Sequence, residues 1–150
     1  MAHSFTNLLY HIVFATKERQ PWLTEALRPD LYAYVAGIIR DEGGIPLIIN
    51  GMPEHIHILA KLRADRAVSA VVSNIKSRSS GWIHRTRPDV PAFAWQTGYG
   101  AFTVSQSQTE TVRRYIENQE EHHRAMPFQV EYRKLLLAHG LEPDEQVLWQ

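Results

Sequence analysis

The hydrophobic positions of this chain follow two periodicities, one typical of strands and one typical of helices. Strands are predicted over residues 7–16, 45–50 and 54–62, with a fourth inside 93–105. The first has apolar side chains on both faces, which is typical of a central strand. Helices are predicted from apolar residues at 3.6-residue spacing, from Pro29 to the Gly43-Gly44 pair and over about 66–85, 108–125 and 128–139.

Local signals predict how several of these elements begin or connect. Residues 51–53, Gly-Met-Pro, predict a tight turn, so the strands on either side of it should pair as an antiparallel hairpin. Asp65 is in position to cap the second helix. Ser107 and Glu110 match the capping box that often begins a helix, here the third.

The predicted order, β-α-β-β-α-β followed by two helices, indicates an α+β protein with a ferredoxin-like (RRM-like) split β-α-β sheet. In this topology strands one and three are central, both crossover helices cover one face, and the other face is expected to be exposed and functional. Gly98 and Gly100 indicate a bulge or a close backbone approach in strand four. Residues 1–150 are expected to form one domain, with the apolar tail 141–150 docked on it or on a partner.

Two pairs of residues suggest chemistry. His55 and His57 share one face of the third strand, with Ile56 on the other, so both imidazoles can bind one metal ion. Tyr115 and Gln119 are four residues apart on the third predicted helix, where a phenol could act as nucleophile and an amide oxygen as ligand. The same spacing is compatible with surface histidines, a core tyrosine and a solvated glutamine.

Composition narrows the class of protein. The chain has 16 basic and 16 acidic residues and zero formal net charge, so nucleic-acid binding would need local patches. It contains no cysteine, which excludes disulfides, thiolate zinc sites and cysteine nucleophiles. No segment approaches the roughly 20 apolar residues of a membrane span, so we expect a soluble cytoplasmic protein without a membrane partner.

Local basic patches exist, and other histidines lie near the candidate residues. A hypothetical DNA-binding surface comprises Lys76, Arg78, Arg85 and Arg87 at the end of the second helix, and Arg114 beside the tyrosine. A solvated helix face is an equally good interpretation of the cluster at 76–87. His11 is expected to be structural, and His122 and His123 are expected to be surface residues.

Four blocks of sequence are similar to one known family. They are residues 7–14 (NLLYHIVF), 51–57 (GMPEHIH), 93–102 (FAWQTGYGAF) and 114–119 (RYIENQ). In order and spacing they resemble the single-tyrosine HUH transposases of small bacterial insertion sequences, which include repeat-associated tyrosine transposases. The resemblance covers a core of about residues 5–125 and is weaker over the C-terminal helix and tail, 126–150.

The resemblance implies a function, a cofactor and partners. Members cut single-stranded DNA beside hairpins, use Mg²⁺ or Mn²⁺, and act as homodimers. By this resemblance His55, His57 and Gln119 would bind the metal, and Tyr115 would form a 5′-phosphotyrosine intermediate. Glu54 stands where the family often has aspartate, and its carboxylate could orient a metal-binding histidine by a hydrogen bond.

Three alternatives to a mobile-element transposase remain open at this level. A domesticated relative would apply the same nicking and joining chemistry to chromosomal repeat hairpins. A non-catalytic ferredoxin-like module would bind nucleic acid through aromatic residues on its central strands, where this chain instead has His55 and His57. A hydrolase acting on a small phosphoester through His57 lacks any small-molecule signature.

Overall fold

A computed structural model describes residues 3–150 of the chain. The strands are β1 (Leu8–Ala15), β2 (Ile45–Met52), β3 (His55–Leu62) and β4 (Gly100–Val104). The helices are α1 (Leu27–Asp41), α2 (Val68–Thr86), α3 (Thr109–Glu117), α4 (Gln119–Ala125) and α5 (Phe128–Ala138). Short 3₁₀ turns occupy Lys17–Arg19 and Gln106–Gln108.

The strands form one antiparallel sheet in the order β2-β3-β1-β4. The register between the central strands places Val13 opposite His57 and Ala15 opposite His55. The ferredoxin-like order, the central position of strands one and three, and the antiparallel hairpin are therefore confirmed.

Successive side chains of the central strands point to opposite faces of the sheet, and each face has its own hydrophobic core. Ile12, Phe14, Ile56 and Ile58 pack on the buried faces of α1 and α2, where Leu31 of α1 is fully buried. α1 ends as predicted, because Gly43 adopts a φ of 80°, a left-handed conformation that glycine accepts without a steric penalty. This larger core joins one face of the sheet to α1 and α2.

The opposite face of the sheet is covered as well, which corrects the prediction that it is exposed. Val13 and Phe102 pack there against Phe128 and Tyr132 of α5. The apolar stripe of α5 needs a partner, and the second sheet face supplies it. As a result the histidine pair of β3 is fully buried.

The turn of the β2–β3 hairpin begins two residues later than predicted and ends one residue later. Gly51 and Met52 remain in β2, paired with Ile56 and His55, and the chain turns at residues 53–54. A Cβ at Gly51 would lie 2.2 Å from the carbonyl oxygen of His55, so glycine permits close strand approach here and not a turn.

Both predicted side-chain caps are wrong. Ala67 and Gln108 occupy the N-cap positions of α2 and α3. Asp65 instead forms an ion pair with Arg63 at 2.7 Å, and the Ser107 hydroxyl bonds to that of Ser105. Short polar side chains have several local partners, and the sequence alone does not choose among them.

The predicted helix over 108–125 is two helices, separated at Asn118, whose φ and ψ are −96° and 30°. The Asn50 amide of β2 donates to the carbonyl oxygens of Ile116, at 2.9 Å, and Glu117, at 3.2 Å. An unbroken helix would use these carbonyls for its own hydrogen bonds, so Asn50 provides an alternative partner where α3 ends.

The C-terminal tail docks on the domain, as one of the two predicted outcomes. Leu148 is buried, and Gly98 N–H donates to the Gln150 carbonyl at 2.8 Å. Gly98 precedes β4, while a Cβ at Gly100 would lie 2.9 Å from Tyr132. Close approach therefore explains both glycines. Within residues 3–150, the helices are too short or too polar to cross a bilayer.

Candidate functional site

The site is built on the two buried histidines of β3. Because successive strand residues alternate, His55 and His57 face the same layer of helices. The Nδ1 atom of each ring has a hydrogen-bond partner. Glu54 Oε1 lies 2.8 Å from His55 Nδ1, and His11 Nε2 lies 2.8 Å from His57 Nδ1. These contacts leave both Nε2 atoms directed toward the covering helices.

The structure brings Gln119 and Tyr115 to the same place, although not on one continuous helix. Gln119, the first residue of α4, has its amide Oε1 3.0 Å from His55 Nε2. The Tyr115 ring of α3 lies 5.9 Å from the His57 ring. All four residues suggested by the sequence therefore meet in one buried cluster within a single chain.

Glu131 is a member of this cluster that sequence reasoning missed. The residue is 2% exposed, and its Oε1 lies 3.1 Å from His57 Nε2 and 3.5 Å from His55 Nε2. Its Oε2 accepts hydrogen bonds from the Tyr115 hydroxyl and, at 3.3 Å, from Gln119 Nε2. A signal was available, since a glutamate on the apolar stripe of α5 needs buried partners.

The surface assignment of His123 is also wrong. Its side chain is 7% exposed, and Nε2 lies 3.1 Å from Glu131 Oε1 and 3.2 Å from Gln119 Oε1. His122 is half-buried with its ring 4.6 Å from that of Tyr115. The break at Asn118 sets the direction of α4, so a continuous-helix projection could not place these rings.

The cluster has a defined charge pattern. Burial alone would raise the pKa of Glu131, but hydrogen bonds with His123, His55 and His57 hold it well below its ordinary value. Burial would lower the pKa of His55, yet Glu131 and Glu54 raise it. Burial lowers the pKa of His57 to about 4. Burial and the adjacent carboxylate of Glu131 raise the pKa of Tyr115.

The donor set fits a divalent metal ion. One ligand atom each from His55, His57 and Glu131 lies within 4.8 Å of the others, in a buried position. Imidazole nitrogen and carboxylate oxygen are ordinary ligands for such ions, and Gln119 adds an amide oxygen beside them. The held Nδ1 atoms match the outer hydrogen bonds that orient metal-binding histidines.

The predicted basic surface lies mainly on the other side of the sheet, on α2. Lys76 Nζ donates to the carbonyls of residues 96, 97 and 98 at 2.9, 3.1 and 2.6 Å. Arg78 pairs with Asp41 and Arg87 with Asp30. Arg85 is exposed, and Arg114, near the tyrosine, pairs with Glu110 at 3.4 Å.

Comparisons with known proteins identify relatives of this chain. Residues 4–119 match the family described as transposase IS200 like. The ISDra2 transposase TnpA of Deinococcus radiodurans is 24% identical over 118 residues, covering 75% of this chain and 84% of that protein.

Two solved structures share the fold. A protein assigned as a transposase from Deinococcus radiodurans has a TM-score of 0.66 and 24% identity, covering 79% of this chain and 95% of that chain. A REP-associated tyrosine transposase bound to a REP hairpin has a TM-score of 0.58 and 16% identity, covering 95% and 87%. The family match ends at residue 119, so Glu131 and His123 lie beyond it.

Proposed function

The chain belongs to the IS200-like transposase family, and from that premise we propose that it cuts and rejoins single-stranded DNA beside hairpins through a covalent bond to Tyr115. One observation carries the proposal. The Tyr115 hydroxyl is hydrogen-bonded to Glu131, the same carboxylate that contacts His55 and His57. A candidate nucleophile and a candidate metal site therefore share one residue.

In this proposal His55, His57, Gln119 and Glu131 hold a divalent ion, Mg²⁺ or Mn²⁺ in the simplest case. A bound ion would withdraw charge from the scissile phosphate and orient it. Glu54 holds the His55 ring and His11 of β1 holds the His57 ring, so little reorganisation is needed at these two imidazoles.

The covalent step uses Tyr115 as the attacking group. Its phenolic oxygen forms a bond to phosphorus as the bond from phosphorus to the 3′ oxygen breaks, giving a 5′-phosphotyrosine and a free 3′-OH. The phenol loses a proton and the departing 3′ oxygen gains one. Glu131 Oε2 is the acceptor nearest to the phenolic proton, so in this proposal it receives that proton as the bond to phosphorus forms.

Rejoining is the same chemistry in reverse. A different 3′-OH attacks the phosphotyrosine, the bond to Tyr115 breaks, and the phenol recovers its proton. The energy of the phosphodiester is conserved in the covalent intermediate, so strand exchange needs no nucleotide cofactor. Alignment of the attacking oxygen contributes much of the acceleration, because a positioned reactant has an effective molarity far above that of free groups.

The substrate must gain access to a covered site. His55 and His57 are fully buried, so a DNA phosphate reaches them only if the helices above the sheet move. α4 is seven residues long and is bounded by Asn118 and by Met126–Pro127, where the backbone is not helical. These two breaks are the positions at which α4 can change direction without disturbing the sheet.

Single-stranded DNA with hairpin ends is the proposed partner. The structural neighbour bound to a REP hairpin supports it, as does the zero net charge, which disfavours indiscriminate phosphate binding. Arg85, with Lys76, Arg78 and Arg87, would contact the hairpin on the α2 side, and Arg114 would contact it near the tyrosine. A homodimer is also proposed, although one chain already brings its own Tyr115 to its own histidines.

The test is covalent capture. The protein is incubated with Mg²⁺ or Mn²⁺ and labelled single-stranded DNA carrying the hairpins that flank its gene, and is run on a denaturing gel. We expect a metal-dependent adduct that disappears in Tyr115→Phe and His55→Ala but persists in Tyr99→Phe, a partly exposed tyrosine outside the cluster. Hairpin binding without any adduct would refute catalysis and favour a binding module.

A further inference from the structure

His123 occupies a position that the proposed metal site does not yet use. It lies on α4, one helical turn after Gln119, so both side chains project toward the sheet. Its side chain is almost fully buried, with Nε2 in contact range of Gln119 Oε1 and Glu131 Oε1. Both neighbours are oxygen donors already assigned to the site.

Three imidazoles face one point. Glu131 Oε1 lies 3.1 Å from His57 Nε2, 3.5 Å from His55 Nε2 and 3.1 Å from His123 Nε2. The His55 and His123 rings are 4.8 Å apart between centroids. The Nε2 atoms of all three rings therefore lie around a single carboxylate oxygen. The same convergence of nitrogen lone pairs is what a metal ion requires.

We propose that His123 is a third imidazole ligand of the metal site, giving three nitrogens with the oxygens of Gln119 and Glu131. This inference rests on the proposed function, because it assumes that the cluster binds metal. It also specifies the ion. Mg²⁺ strongly prefers oxygen ligands, whereas imidazole favours first-row transition metals. The site therefore selects a divalent transition-metal ion over Mg²⁺.

A simpler role for His123 would be to hold the Glu131 carboxylate in place. Its neighbour His122 provides a matched control, since its ring is directed at Tyr115 and its Nε2 has no hydrogen-bond partner in the described chain, residues 3–150. The chain has no cysteine, so a single introduced thiol is unique. These two facts allow coordination itself to be observed, apart from activity.

The experiment measures Co²⁺ binding to the full chain after removal of metal with a chelator. His123→Cys should show an intense thiolate-to-cobalt charge-transfer band, and His122→Cys should not. In calorimetric titrations, His123→Gln should weaken Co²⁺ binding by more than about 100-fold, beyond the range of outer hydrogen-bond partners. Its Mg²⁺ affinity should change much less, so the preference for Co²⁺ over Mg²⁺ should fall.

The outcomes separate this inference from the proposed function. If His123→Cys gives no charge-transfer band and His123→Gln binds Co²⁺ as His122→Gln does, while His55→Ala loses binding, His123 is not a ligand and the metal site stands. If wild type binds neither Co²⁺ nor Mg²⁺ more tightly than His55→Ala, the metal site and the inference both fail. Circular dichroism of each variant checks that it is folded.

Discussion

The buried carboxylate of Glu131 offers the sharpest test of the charge pattern. The substitution is Glu131→Gln, which keeps the size of the side chain and removes its charge. In wild type this carboxylate contacts three histidines through Oε1, and accepts from Tyr115 and Gln119 through Oε2. The variant removes the carboxylate that contributes most to raising the pKa of His55, and it replaces one acceptor oxygen by a donor.

The size of the effect depends on the protonation of His55. Where His55 is charged, removing one partner of a buried pair costs about 3–5 kcal/mol. At higher pH His55 is neutral, and the loss falls to that of unsatisfied hydrogen bonds, about 1–3 kcal/mol. Because folding raises the pKa of His55, this residue stabilises the fold at any pH below its pKa in the unfolded chain. The stabilisation is lost as the pH rises through its pKa in the folded protein.

Glu131 itself determines the lowest pH at which the free energies of unfolding of wild type and Glu131→Gln should differ strongly. Its pKa is lowered by folding, so its contribution is present above the unfolded value of about 4.3 and is lost as the pH falls below it. The free-energy difference between wild type and Glu131→Gln should therefore be largest between about pH 4.3 and pH 6.5. It should be clearly larger at pH 5.5 than at pH 8.5.

Urea unfolding in the presence of a chelator measures this difference, with Glu120→Gln as the matched control. Glu120 is an exposed glutamate on α4, so its change should stay within about 0.5 kcal/mol. Equal losses for Glu131→Gln at pH 5.5 and pH 8.5 would refute the charge assignment. A loss no larger than that of the control would show that the carboxylate does not stabilise the cluster.

Other substitutions separate structural from functional roles of polar residues. Burial lowers the pKa of His11 from 6.5 to about 3, so the stability of the neutral ring is present above pH 6.5 and is lost as the pH falls. The loss reaches about 2–3 kcal/mol at pH 4.5. In urea titrations, the free energy of unfolding of His11→Gln should therefore fall less steeply than that of wild type between pH 7 and pH 4.5. An equal pH dependence in the two proteins would contradict this. Lys76→Met should lower the free energy of unfolding by about 2–3 kcal/mol, because Nζ bonds to three carbonyls, and a neutral result in thermal melts would refute that role. Arg85→Gln should leave stability within about 0.5 kcal/mol and reduce the salt slope of hairpin binding by about one, whereas an unchanged slope would remove Arg85 from the DNA surface.

Much of the fold could be predicted from the sequence, because the relevant signals are local. Apolar residues on both faces of β1 identified a central strand, and helical spacing identified α1, α2 and α5 with ends close to those observed. Strand periodicity alone places His55 and His57 on one face, since adjacent side chains in a strand point in opposite directions. Family resemblance, carried by short blocks, then connected Tyr115 and Gln119 to that pair.

What the sequence could not decide depends on contacts between distant segments. At the break before Asn118, the Asn50 amide, far away along the chain, donates hydrogen bonds to the last carbonyls of α3. The hydrophobic spacing within residues 108–125 does not depend on Asn50, so the pattern predicted one helix. A short-range signal describes how a segment would fold alone and cannot report a competing hydrogen bond from another strand.

The same limit applies to the site. The apolar stripe of α5 could have indicated that Glu131 is buried, but only packing of α4 and α5 on the second sheet face brings Glu131 and His123 to the histidines of β3. The sequence determined the order of elements and the face that carries the histidines, because backbone geometry fixes both. Tertiary structure decided which charges meet there, because burial and pairing arise only when distant segments pack together.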